Sequence, residues 1–100
     1  MRIGKVIGRV TLSQSVPLLK GARWLIVNPH GGEELSRFGE EDVPLTKEPS
    51  LVVFDNLGGA VGDTIGFVEG REAASPFDVP PPIDGINVAL IDKVFYSPKS

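Results

Sequence analysis

The sequence predicts an all-β fold: a small closed barrel of five strands, with one short helix between the fourth and the fifth. Three observations carry that prediction. Glycine (12) and proline (9) are spread through the 100 residues and cut the chain into short pieces. Five pieces are aliphatic and aromatic, and they either alternate with period two or are apolar throughout, as strands do. No stretch between them supplies the crossover helices that a parallel sheet needs.

The first predicted strand runs from Arg2 to Leu12. From Val6 onward it alternates, with Val6, Gly8, Val10 and Leu12 on one face and Ile7, Arg9 and Thr11 on the other. Gly4 and Gly8 mark points where a sheet can curl. The second strand is Arg23 to Asn28 and the third Leu51 to Phe54, ended by Asp55. Both are apolar on two faces, as barrel strands are when a neighbouring subunit covers the outside. The fourth is Thr64 to Glu69, with Ile65 and Phe67 on one face. The fifth is Ile86 to Tyr96, with Ile86, Val88, Leu90, Val94 and Tyr96 on one face and Asp92 among them. A charge in that position needs a partner, a turn to cap or the open end of the barrel. Closing such a sheet removes the edges that would otherwise invite aggregation.

Leu18 and Leu19 are expected to tuck inward from the loop between strands one and two. His30 to Pro49 is long and polar, carries the acidic run Glu40-Glu41-Asp42, and is read as either functional or containing a hairpin. Gly70 to Ala74 suits one or two helical turns before Pro76, and Pro80-Pro81-Pro82 is expected to run as polyproline II.

Length allows a single domain, 1–100. A chain of this size buries roughly 60–70% of its unfolded surface, so association with its own copies adds useful burial. With 41% hydrophobic residues and a net charge of −3, the chain is neither disordered nor a general nucleic-acid binder, whose affinity needs a basic surface. Cysteine is absent, which excludes disulfides, thiolate metal sites and cysteine nucleophiles. Met1 to Lys5 has no apolar run behind its basic residues, and apolar runs stop at four residues. No signal peptide and no membrane helix are expected.

Catalytic chemistry finds little to use. The sole histidine, His30, has only Glu33 and Glu34 near it in sequence, too few donors for a common zinc site. Gly58-Gly59-Ala60-Val61-Gly62 follows a strand, as a phosphate loop does. A strand follows it, however, where an anion loop requires a helix, and no Gly-Lys-Ser/Thr is present. It reads as a glycine-rich turn, suited to close approach of another backbone. No cofactor and no metal are expected.

Four segments, in order, carry a resemblance to a known family. Met1 to Thr11 is similar to an opening strand ending in Gly-x-Val-Thr, and Leu19 to Val27 to a Leu-x-Gly followed by an apolar strand. Asp55 to Asp63 is similar to an Asp-x-Val-Gly-Ala-Gly-x-Gly-Glu turn, and Pro82 to Val94 to a closing Pro-Ile-Asp strand. Together they resemble the EutN/CcmL family, the pentameric vertex shell proteins of carboxysomes and ethanolamine-type microcompartments. The chain departs from the family in two places. The family's Gly-Ala-Gly is Gly58-Gly59-Ala60 here, and in Gly70-Arg71-Glu72-Ala73-Ala74 the arginine that follows strand four in the family is not at its usual place.

The resemblance implies an OB-like barrel, a homopentamer and a place in a shell within the bacterial cytoplasm. It also implies hexameric shell proteins as partners, no catalysis, and no nucleic acid or membrane. Gly58, Gly59, Gly62, Asp63, Asp84 and Asp92 lie in the matching segments and are assigned to the subunit interface or to its turns. Two other readings share the barrel: an OB-like module binding nucleic acid or a small ligand, and an adaptor for an enzyme on another chain.

Overall fold

The computed structural model describes residues 1–11, 23–40, 43–74 and 83–94. Five strands are present: β1 (Arg2–Val10), β2 (Arg23–Pro29), β3 (Leu51–Asp55), β4 (Thr64–Glu69) and β5 (Gly85–Ile91). They close into a barrel in the order β1-β2-β3-β5-β4. Every seam is antiparallel except β3 with β5, which is parallel. A 3₁₀ turn, Gly70–Ala74, leads from β4 toward β5.

The barrel interior is filled by Val6, Leu25, Val27, Val53, Ile65 and Phe67, all fully buried, with Leu51 packed against them. Burying each such side chain contributes about 1.5–3 kcal/mol. A second cluster lies on the opposite face of the same strands. Trp24 and Ile86 alternate with interior residues and pack with Ala73 and Ile83, flanked by Val10, Phe54 and Val68. Trp24 meets Phe54 edge to face at 5.8 Å between ring centroids. The 3₁₀ turn and Ile83 therefore act as a lid over the outside of the barrel wall.

β4 has the predicted bounds, with Ile65 and Phe67 inside. β2 is buried on both faces as predicted, and part of its outer cover comes from the chain itself. β3 differs: Phe54 packs with the outer cluster, but Val52 is 53% exposed, so that part of the outer face is open in the single chain.

Two bulges correct the predicted alternation. Between Val6 and Gly8 the β1–β2 register slips, leaving Ile7 as an extra residue. Val6 therefore points into the barrel while Val10 joins the outer cluster, and the two do not share a face. In β5 the register slips where Gly66 pairs with Ala89 and Phe67 with Asn87, so Val88 is the extra residue. Ile86 belongs to the outer cluster, Asn87 is buried beside Phe67, and Val88 and Leu90 are exposed. A one-residue slip exchanges the two faces of everything beyond it. β5 also ends at Ile91, earlier than predicted.

The long connection after β2 contains no hairpin among its described residues. It opens with α1 (Gly32–Ser36), a short helix for which Glu34 Oε1 accepts from the Gly31 amide at 2.7 Å. Glu33 and Glu34 place negative charge at the end of the helix where amides are unpaired. Farther on, Thr46 ties the loop back to β2. Its amide donates to Asn28 Oδ1 and its hydroxyl to the Pro29 carbonyl, at 2.9 and 2.8 Å. Leu12, Leu18-Leu19, Glu41-Asp42, Pro80-Pro81-Pro82 and Phe95-Tyr96 lie outside the described residues.

Candidate functional site

The segment from Asn56 to Asp63 joins β3 to β4 and is braced at every level. Gly58 and Gly62 have φ of +83° and +99°, the left-handed region that side chains resist. Gly59 is buried, and a Cβ there would stand 2.9 Å from Leu25 Cδ1 and 3.3 Å from Asn87 Nδ2. Asp63 closes the turn on itself. Its amide donates to the Ala60 carbonyl and its Oδ2 accepts from the Ala60 amide, both at 2.9 Å. Two backbone bonds fasten the turn to β1: Gly62 N–H to the Val6 carbonyl at 2.9 Å, and Val6 N–H to the Asp63 carbonyl at 2.8 Å. A stiff turn of this kind carries Leu57, Ala60 and Val61 outward, with Val61 64% exposed.

Of the six residues selected from the sequence, the structure brings Gly58, Gly59, Gly62 and Asp63 together in this turn. Asp84 stands apart at the entry to β5, exposed, with its carbonyl accepting from the Gly70 amide at 2.8 Å. Asp92 is exposed and lies past the end of β5, so it does not sit within an apolar face. The bulge at Val88 removes the alternation that had placed it there.

One residue was missed as a site. Asp55, the last of β3, is 2% exposed and its carboxylate is saturated with donors. Oδ1 accepts from the Leu57 amide at 3.0 Å and from Asn87 Nδ2 at 2.9 Å, and Oδ2 accepts from the Gly59 amide at 2.9 Å. Arg23 Nε lies 3.6 Å from Oδ2, while its Nη2 donates to the Gly59 carbonyl at 2.9 Å. The signal was an aspartate three residues before a glycine run, a common way to cap a turn. Its partner Asn87 had no marker in the sequence.

Near the turn, a cleft of about 300 Å³ is lined by Lys5, His30, Glu34, Glu40, Asp63 and Thr64, among others. Carboxylates outnumber cations in it, which does not suit a phosphate backbone. Among the described residues no group of three or more His, Asp or Glu is placed to hold a metal ion.

Burial holds the His30 pKa below its ordinary 6.5; Glu34 pulls it upward and Lys5 adds to the lowering. The folded state thus favours neutral imidazole. The stabilisation is complete above 6.5 and is lost as the pH falls through the lower, folded value. Urea midpoints measured at about pH 7.5 and about pH 5.5 should therefore fall more for the native chain than for His30→Asn. Equal decreases would show that the imidazole is not linked to folding.

The chain matches the family model described as ethanolamine utilisation protein EutN/carboxysome over residues 1–92. Among solved structures it is similar to the pentameric shell protein MSM0273 from the RMM microcompartment, at 26% identity, covering 92% of this chain and 91% of that one, with a TM-score of 0.71. CcmL of Nostoc sp. PCC 7120 is 25% identical, covering 94% and 92%, with a TM-score of 0.72. The fold is shared with GrpN, a pentameric microcompartment shell protein from Rhodospirillum rubrum, at 24% identity, 97% and 99% coverage and a TM-score of 0.75. No relative among curated proteins matches the chain.

Proposed function

Because the chain belongs to the EutN/CcmL family, we propose that five copies join into a ring that closes a corner of a bacterial microcompartment shell. The observation that carries this reading is the position of the apolar surface. The barrel is closed and its interior is full, yet Val52, Leu57, Val61, Val88 and Leu90 remain exposed. They lie on β3, on the glycine-rich turn and on β5. Identical head-to-tail contacts between such surfaces generate a closed ring when the rotation fits. A specific contact of ordinary size buries about 800 Å² on each partner, and apolar side chains supply its centre.

In this reading the turn holding Gly58, Gly59, Gly62 and Asp63 meets the neighbouring subunit, with glycine backbone allowing close approach. Asp84 and Asp92 serve at the strand ends. The whole chain acts as one barrel unit. Its role is shape and contact, not bond making. Hexameric shell proteins tile flat sheets, and the ring supplies the curvature that a flat sheet lacks, its rim docking against hexamer edges. The organelle shell lies in the bacterial cytoplasm.

Native mass spectrometry at micromolar concentration is expected to give a species five times the 10.7 kDa chain mass. A stable monomer under those conditions, or a ring of another number, would overturn the reading.

A further inference from the structure

The barrel has one weak seam. β3 and β5 share a single paired position, Phe54 with Ile86, whereas the other seams are runs of paired residues. Two polar side chains stand buried where that ladder gives out, Asp55 at 2% and Asn87 at 1% exposure. Asn87 Nδ2 donates to Asp55 Oδ1 across the seam at 2.9 Å. Asn87 Oδ1 accepts from the Ala89 amide at 3.2 Å, just past the β5 bulge. A side-chain bridge thus ties the two strands together where the ladder is short.

The same carboxylate reaches the other way, into the turn. It takes the amides of Leu57 and Gly59, and Arg23 from β2 grips the Gly59 carbonyl from outside. A buried carboxylate is tolerated only when donors satisfy it, and losing one partner of such a network is costly. Here most of the donors belong to the segment that carries Leu57 and Val61 to the surface. Seam and turn cannot move independently, because both are anchored on Asp55.

We propose that Asp55 is a positioning residue for assembly: with Asn87 and Arg23 it holds the Asn56–Gly62 turn in the shape that the neighbouring copy receives. This rests on the ring reading above. The partner is a second copy of this chain, and Asp55 acts on it through the turn without being exposed to it.

Hydrogen exchange followed residue by residue tests the brace first. In the native chain the Leu57 and Gly59 amides, although they lie in a connecting segment, should be strongly protected. In Asp55→Asn that protection should fall at these two amides, while Val27 and Ile65 in the barrel wall keep theirs. The concentration midpoint for ring assembly of Asp55→Asn should rise ~10-fold or more, the loss of a charge-assisted bond or two.

Should Asp55→Asn not fold, Arg23→Gln removes the outer grip from a half-exposed position; it should weaken Gly59 protection and raise the midpoint roughly fivefold. Free exchange at Leu57 and Gly59 in the native chain overturns the inference. So does an unchanged midpoint in whichever variant folds. A native chain that does not form the pentamer defeats the ring reading instead, and exchange at Leu57 and Gly59 then still decides whether Asp55 braces the turn.

Discussion

Phe67→Ala is expected to remove a large share of the stability of the fold. The ring is fully buried among Val6, Leu25, Val27, Val53 and Ile65. It also fills the space left by Gly4: a Cβ built at that glycine would lie 3.1 Å from Phe67 Cε1 and 2.5 Å from Val27 Cγ1. Gly4 itself has no side chain to move into the hole. Arg2 stacks over the ring with its guanidinium carbon 5.7 Å from the centroid and pairs with Glu69, so its anchoring is lost as well. Truncations of this kind cost about 3–5 kcal/mol. Domains have about 5–15 kcal/mol in total. At fixed protein concentration the melting temperature should drop by roughly 15–30 °C. A drop of less than ~5 °C would mean the interior is not packed around this ring.

Why Phe67 was legible in the sequence, and its neighbour Asn87 was not, follows from how the barrel is made. Ile65 and Phe67 alternate with Thr64, Gly66 and Val68 over a short strand that carries no extra residue of its own, and period two identified their face correctly. Strand β2 was legible for a different reason: four apolar residues in a row need cover on both sides, and Trp24 and Leu25 do point to opposite clusters. β1 and β5 each contain one extra residue, Ile7 and Val88, and alternation read through a bulge assigns every later side chain to the wrong face. Gly8 beside the first slip was a marker for it. Nothing in Ile86-Asn87-Val88-Ala89 marks the second.

The candidate site divides in the same way. Glycines at positive φ leave a visible trace, because few other residues tolerate that backbone, so Gly58 and Gly62 stood out. Asp55 is different. An aspartate closing a strand is common, and its importance comes from donors contributed by Leu57, Gly59 and the distant Asn87. Long-range partners of that sort exist only after the barrel has closed. Helix α1 was hidden because its capping contact is made by Glu34 to a glycine amide, which sequence patterns built on Ser, Thr, Asp or Asn caps do not register.

Val61→Asp should separate assembly from folding more sharply than any other change. Val61 is 64% exposed on a turn whose backbone is held by β1, Asp55 and Asp63, so a carboxylate there leaves those backbone bonds in place. Its unfolding free energy should remain within about 0.5 kcal/mol of the native chain's monomer. In the ring proposed above the same position would meet a neighbour, and five symmetry-related carboxylates would lose water without a partner. Desolvating an unpaired charge costs several kcal/mol per ion. That is repeated at every contact of a closed ring, so the pentamer should disappear at micromolar concentration while far-UV circular dichroism stays that of the folded barrel. Val61→Thr keeps the shape without the charge and should still assemble. If Val61→Asp forms the same ring at the same concentration, the turn lies outside the contact, and the exposed residues of β3 and β5 would have to make it alone.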